Sequence, residues 1–250
     1  MRQSRFLHLL AHRGNAVEFP ENTLPAFRSA IEIGARFLAF DVQLSNDGVA
    51  VVSRDIDLAR TTSIAGNLLD TPAAQLVLAD VCEPERFGDR FRGTRMPRLA
   101  DALGLLENRP DVTVFVELRR HSLARFGHDT VVSRVLETIR PFRSQCVLIS
   151  SELPALLHAR NSGGPPIGWV LPGYDDHSRL KYEAIRPQFL FCDLSRLPPR
   201  GALWRGPWRW VICDVTSLDD VLDLGARGAD FVGTVRVRAL SQAMRAHASG

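Results

Sequence analysis

Short apolar runs of four to eight residues recur eight times along the chain, separated by stretches whose apolar residues fall at helical spacing, and no other feature narrows the fold so far. The runs are Phe6 to Ala11, Phe37 to Leu44, Val112 to Leu118, Cys146 to Ser150, Ile167 to Leu171, Phe189 to Asp193, Trp210 to Val215 and Phe231 to Thr234. Helical spacing runs through Leu24, Phe27, Ala30 and Ile31, where Asn22 or Thr23 can cap and Pro25 sits in the first turn. It returns over Leu99 to Glu107, Thr130 to Ile139, Pro154 to Arg160, weakly over Arg179 to Ile185, then over Leu218 to Ala226 and from Leu240 onward.

Strands alternating with helices imply parallel pairing, and eight such units imply a closed (β/α)8 TIM barrel. The unit between Asp193 and Trp210 lacks a clear helix. After the second strand, Asn46-Asp47-Gly48 is a tight-turn signal and Val49 to Val52 returns as a short extended run. From residue 56 to 95 the rhythm is lost, apart from one short helix over Pro72 to Leu78, and this reads as a small insertion on the barrel rim.

A length of 250 residues with 45% hydrophobic content supports one large core, so the expectation is one domain over residues 1–250. The net charge of +3 is small and spread along the chain, which gives no nucleic-acid footprint. Cys82, Cys146, Cys192 and Cys213 show no paired spacing, and Cys146, Cys192 and Cys213 sit in apolar strand-like runs, as expected of small buried residues in a reducing cytoplasm. Met1 to Ala11 carries two arginines, but its apolar run is short and interrupted by His8; it reads as a strand, not a signal peptide. No stretch is long enough to span a bilayer, and nothing in the sequence sets an oligomeric state.

In a parallel barrel the working residues lie at the carboxyl ends of the strands. That rule selects His12, Arg13, Glu21, Asp41, Arg54, Asp55, Glu117, Arg119, Ser150, Asp193, Asp214 and Thr234. It places Trp204, Trp208 and Trp210 ahead of a strand, where packing is their expected work. Ser150 and Ser151 lack the glycine-flanked elbow of a serine hydrolase.

The order and spacing of several motifs go further. Ala11-His12-Arg13-Gly14, Pro20-Glu21-Asn22-Thr23, the run from Phe40-Asp41 to Gly48-Val49, Arg54-Asp55 with Arg60-Thr61-Thr62, and Val116-Glu117-Leu118-Arg119 together resemble the glycerophosphodiester phosphodiesterase family. The resemblance continues weakly through Ile149-Ser150-Ser151, Ile167-Gly168-Trp169 and Gly228-Ala229-Asp230. It implies a barrel with an insertion after the second strand, hydrolysis of a glycerophosphodiester to glycerol 3-phosphate and an alcohol, two histidines as acid and base, and a divalent cation. The chemistry agrees with that set. A phosphodiester is a stable anion, so attack on it needs charge neutralisation and groups that exchange protons near neutrality. Hard Mg²⁺ or Ca²⁺ takes oxygen ligands.

By that resemblance His12 is the first catalytic histidine, Arg13 and Glu21 surround the phosphate, Asp41 and Glu117 are metal carboxylates, and Arg119 stands where lysine is usual. Two positions depart from it. Ala39 stands in place of a second strand-two carboxylate, and Arg54 in place of the second catalytic histidine. An arginine cannot exchange its proton, so turnover is expected to be strongly reduced or absent and the cation weakly bound or lost. Arg54 is expected to pair with Asp41 or Glu117 and present its guanidinium to phosphate. The alternative is a catalytically inactive phosphodiester-binding or regulatory barrel. His121, His128 and His177 are the remaining histidines expected on the active face.

Overall fold

Leu10 is buried among Phe115, Phe231 and Val211, while its neighbour Ala11 joins a separate core with Phe27 and Ala30, so the first strand faces two hydrophobic interiors at once. That is the signature of a strand in a closed parallel barrel with helices outside. A computed structural model describes residues 7–249, and the expected strand start at Phe6 lies outside the described residues.

In chain order the first half holds β1 (His8–His12), α1 (Leu24–Ile33), β2 (Phe37–Leu44), β3 (Ala50–Val52), α2 (Ala73–Leu76), α3 (Pro84–Phe87), α4 (Leu99–Leu103), β4 (Thr113–Leu118), α5 (Arg120–Phe126) and α6 (His128–Ile139). The second half holds β5 (Cys146–Ser150), α7 (Leu153–Asn161), β6 (Ile167–Val170), α8 (Asp176–Ile185), β7 (Phe189–Asp193), β8 (Arg209–Cys213), α9 (Leu218–Arg227), β9 (Phe231–Thr234) and α10 (Val237–Ser249). The sheet runs β1-β9-β8-β7-β6-β5-β4-β2 and closes through β1–β2, all parallel, which is the expected TIM barrel. β3 pairs antiparallel with the carboxyl end of β2, from Val42 opposite Val52 to Leu44 opposite Ala50.

Local chemistry sets the element ends that shape the site. Thr23, not Asn22, caps α1, accepting the Ala26 N–H, and Pro25 lies in the first turn. Gly34, at φ 108°, ends the helix by turning its own N–H back on the carbonyls of Ala30 and Ile31.

The barrel interior is packed with aromatic rings below the site. Phe37, Phe115, Phe189 and Phe231 lie with centroids 4.9 to 6.0 Å apart, and the Arg209 guanidinium sits 4.3 Å over Phe231. Each fully buried ring contributes about 1.5–3 kcal/mol of transfer free energy. Functionally, the plug leaves the carboxyl ends of the strands as the way in.

The rim segment packs Leu58, Leu68, Leu69, Leu76 and Val81 into a small core with Val51 of β3 and Met96. Its one expected helix is shorter than the sequence suggests, Ala73–Leu76. Between β7 and β8 only a single 3₁₀ turn, Leu194–Arg196, replaces the missing helix. Tryptophans fill that space: Trp204 stacks on Tyr174 at 4.0 Å, Trp208 meets Tyr182 at 4.2 Å, and Trp210 donates its indole N–H to the Trp204 carbonyl at 2.9 Å. The helix α5 is absent from the sequence reading because it has no apolar stripe. It docks through Ser122, whose hydroxyl donates to Gln43 Oε1 at 2.7 Å and accepts the Leu44 N–H at 2.8 Å. Among the described residues no helix is long and apolar enough to cross a membrane.

Gly14 holds the loop after β1 against α1. Its φ is +83°, and a Cβ there would lie 2.7 to 2.8 Å from Ala26. Left-handed strain and a backbone collision together predict that Gly14→Ala lowers unfolding stability by about 2–4 kcal/mol. A urea midpoint that falls at unchanged slope is the expected result; a loss below about 0.5 kcal/mol would mean that α1 moves away freely.

Candidate active site

Parallel register decides which side chains meet. Asp41 of β2 is the Cα partner of Glu117 of β4, and Ala39 of β2 is the partner of His12 at the end of β1. His12, Asp41 and Glu117 each offer a ligand atom, and these atoms all lie within 4.8 Å of one another. Two carboxylates forced side by side below the surface need positive charge, and arginines supply it. Arg13 Nε lies 3.0 Å from Asp41 Oδ2, and Arg119 Nη1 lies 3.4 Å from Asp41 Oδ1 while donating to Glu117 Oε1.

The loop after β1 bends sharply to deliver these groups. Arg13 (φ 61°) and Asn22 (φ 58°) are both left-handed, and the Asn22 N–H donates to the Arg13 carbonyl at 3.1 Å. Freed from capping, the Asn22 side chain grips Asp41: Nδ2 donates to Oδ2 at 2.9 Å, and Oδ1 accepts the Asp41 N–H at 3.3 Å. Sequence reasoning missed this role, because a capping asparagine and an asparagine holding a carboxylate look alike.

Rim residues brace the loop from outside. Glu21 accepts from Arg13 Nη1 at 3.3 Å and from Arg60 Nη2 at 2.7 Å, and Arg60 also pairs with Asp55. The Glu21 N–H donates to buried Glu83 at 2.6 Å. Glu83 in turn pairs with Arg86, which donates to the Ala16 carbonyl at 2.7 Å. Glu83 and Arg86 carried no motif, and their spacing of three residues within an irregular segment was the only signal.

The structure therefore joins His12, Arg13, Glu21, Asp41, Glu117 and Arg119 in one neighbourhood. Arg54 does not complete it as expected. Its side chain is exposed, its carbonyl accepts from Gln43 Nε2 at 3.0 Å, and among the described residues its guanidinium has no ion pair with Asp41 or Glu117. Arg13 and Arg119, deeper in the mouth, already fill that role. Ser150 is structural, donating to the Leu118 carbonyl and accepting the Glu152 N–H. Thr234 accepts the Arg236 N–H ahead of α10, and Asp193 pairs with Arg196 at 3.1 Å. Asp214 stays exposed at the mouth with φ 62°. His121 and His177 are exposed and His128 is half-buried; among the described residues none of the three is hydrogen-bonded or ion-paired to these groups.

The sequence model of the glycerophosphoryl diester phosphodiesterase family matches residues 12–158, more than half of the chain and all of the site just described. The chain belongs to this family. A glycerophosphodiester phosphodiesterase of Caldanaerobacter subterraneus is 32% identical over 144 residues, 57% of this chain and 57% of that protein. Glycerophosphodiester phosphodiesterase 1 of Mus musculus is 33% identical over 134 residues, 52% of this chain and 37% of its own length. The matched stretch thus spans a little over half of the first relative and little more than a third of the second. Among solved structures, an Oleispira antarctica phosphodiesterase in complex with the product sn-glycerol-3-phosphate superposes with a TM-score of 0.83 at 20% identity, covering 95% of this chain and 96% of that one. A glycerophosphodiester phosphodiesterase of Thermotoga maritima gives 0.69 at 22% identity, covering 95% and 98%. These two likenesses concern the fold.

The family generally employs a divalent cation, and the donor set here fits one. Asp41 is 1% exposed, yet its Oδ1 has no hydrogen-bond partner among the described residues, so a buried carboxylate oxygen is left for a ligand. One carboxylate oxygen each of Asp41 and Glu117 lie within 4.8 Å of one another, inside the span of the coordination sphere of a hard cation, whose oxygen ligands sit at about 2.0–2.6 Å. Both carboxylates are already balanced by guanidinium, which weakens the pull on an added cation.

Burial, and after it the neighbouring Asp41 charge, push the Glu117 carboxyl up to about 7. Burial and then Arg13 push His12 down to about 4. Burial alone would raise Asp41, but Arg13 and Arg119 outweigh it and hold the carboxyl below its ordinary value. For Glu117 the folded chain holds a proton that the unfolded chain has lost, so stability falls as pH rises from 4.5 through about 7. For His12 the unfolded chain holds the extra proton, so stability rises from about 4 to 6.5. Above 6.5 only the Glu117 effect remains. The melting temperature of the native protein is expected to fall between about pH 6.5 and 8, and Glu117→Gln to flatten that slope; an unchanged slope in the variant would refute the assignment.

Proposed function

We propose that this family member acts at its barrel mouth on a glycerophosphodiester, as a metal-assisted phosphoric diester hydrolase yielding glycerol 3-phosphate and an alcohol, with turnover strongly reduced. The observation that carries the reading is the meeting of a neutral imidazole, two adjacent carboxylates and two partly exposed guanidinium groups at the carboxyl ends of β1, β2 and β4. Arg13 and Arg119 attract the phosphate and fix its orientation. Glu21 holds Arg13 in place, itself steadied by Arg60 and Glu83.

His12 is uncharged at neutral pH, so it can accept a proton, but burial and Arg13, which push it down to about 4, make it a weak base. Asp41 and Glu117 would hold Mg²⁺ or Ca²⁺, oxygen donors suiting a hard cation better than the imidazole does. When bound, such a cation supplies charge neutralisation at the phosphate oxygens. Ala39 puts a methyl group beside His12 where the family resemblance expects a further carboxylate, so the cation is held weakly. Arg54 carries a permanent charge and cannot act as the second proton-transfer group.

A second reading has its own support. With Arg54 exposed and no other histidine joined to the mouth among the described residues, the same site would bind a phosphodiester or phosphate without turning it over.

Glycerol 3-phosphate release from glycerophosphocholine, with Mg²⁺ or Ca²⁺, separates the two. The native protein is expected to run about 10²- to 10⁴-fold slower than the Ala39→Glu, Arg54→His double variant, and His12→Ala to abolish what remains. A native protein that binds glycerol 3-phosphate but releases none from the diester supports the second reading. Equal rates for native and double variant would overturn the assignment of Arg54.

A further inference from the structure

The two oxygens of Asp41 are held unequally. Oδ2 accepts a hydrogen bond from Asn22 Nδ2 at 2.9 Å and is ion-paired with Arg13 Nε at 3.0 Å, which makes no hydrogen bond among the described residues. Oδ1 faces Arg119 Nη1 at 3.4 Å and makes no hydrogen bond among the described residues. The same Nη1 donates to Glu117 Oε1 and so stands between the two carboxylates. Arg119 is itself poorly satisfied, since its Nε is buried and unpartnered. Its side chain is 23% exposed, enough for an anion at the mouth to reach it. One exchange would satisfy both orphaned atoms: a cation on Asp41 Oδ1, and anionic oxygens on the guanidinium.

We infer that Arg119 is the resident counter-cation of the Asp41–Glu117 pair, and that a divalent cation and a phosphate bind this site cooperatively by displacing it and capturing it respectively. The inference rests on the reading that these carboxylates hold the cation. A cation entering alone must push a guanidinium off both its acids with nothing to receive it. A phosphate entering alone draws Arg119 away and leaves two carboxylates in register with no charge between them. Entering together, each removes the cost the other would incur. Arg119 is thus a positioning residue whose place is set by the β4 backbone, through its own N–H on the Val42 carbonyl at 3.1 Å.

Calorimetry tests this on the full chain, with Mg²⁺ titrated in the absence and presence of saturating glycerol 3-phosphate, and glycerol 3-phosphate titrated with and without Mg²⁺. Each ligand is expected to tighten the other by the same factor, about tenfold or more. Arg119→Met, which keeps the apolar stem and removes the charge, is expected to bind Mg²⁺ alone more tightly and to lose most of the coupling factor. A merely electrostatic neighbour would change both affinities and leave that factor intact, so an unchanged factor in the variant overturns the inference. Mg²⁺ binding to the native protein that is indifferent to glycerol 3-phosphate overturns it too, while the cation reading survives. Absence of Mg²⁺ binding in every arm overturns both. The reciprocal pair of titrations needs only the native protein, so the inference stays decidable if the variant fails to fold.

Discussion

The parallel register of β2 against β4 is the constraint on which the site depends. It seats Asp41, which is buried, beside Glu117, which is only partly exposed, so solvent screens the pair poorly. Two like charges so placed demand positive charge nearby, and even with it Glu117 keeps its proton up to about pH 7. Arg13, Arg119 and Asn22 all answer that demand, and each needs special backbone or reach to do so. Arg13 and Asn22 adopt left-handed conformations, and Arg119 folds back over the strand that carries it. Strain in the loop after β1 is thus the local consequence of a choice made in the sheet.

The rest of the architecture holds that arrangement still. Below, a ring of phenylalanines capped by Arg209 fills the barrel and shuts off approach from the amino ends of the strands. Beside the mouth, the rim segment folds on a small core and presents Glu83 and Arg60 to Glu21. The segment is therefore a brace for Arg13, through Glu21, as well as an ornament of the rim. Its own stability comes from apolar burial, and what it hands to the site is charge.

How much of this was legible in the sequence varied with the range of the interaction concerned. Alternation of period two placed Ala39, Asp41 and Gln43 on one face, and strand-helix rhythm gave the closed barrel. Both are local patterns. That Asp41 would sit opposite Glu117, far along the chain, depends on register, which no local pattern carries. The helix α5 escaped because it is short, burying Leu123 and packing Phe126 without a repeating apolar stripe, while Ser122 hydrogen bonds tie it to β2. The rim segment read as irregular because its core draws on scattered residues such as Leu58, Leu76 and Met96. Arg54 was the instructive miss: its charge was visible in the sequence, but the exposure that keeps it away from the carboxylates was not.

That miss changes how the two departures at the mouth relate to each other. Read as letters, a lost carboxylate at residue 39 and a gained arginine at residue 54 look like compensation, one charge traded for another. In the fold, Asp41 and Glu117 are already balanced by Arg13 and Arg119, and Arg54 lies outside that balance. Its charge still reaches His12, but as the least of the influences that depress it, behind burial and Arg13. On the proposed reading, Ala39 would matter at short range, as a methyl group next to His12 in the sheet, whereas Arg54 would matter from the exposed rim, as a charge that cannot be exchanged. The two positions would then contribute through different physics, one by a missing oxygen donor and the other by a fixed charge.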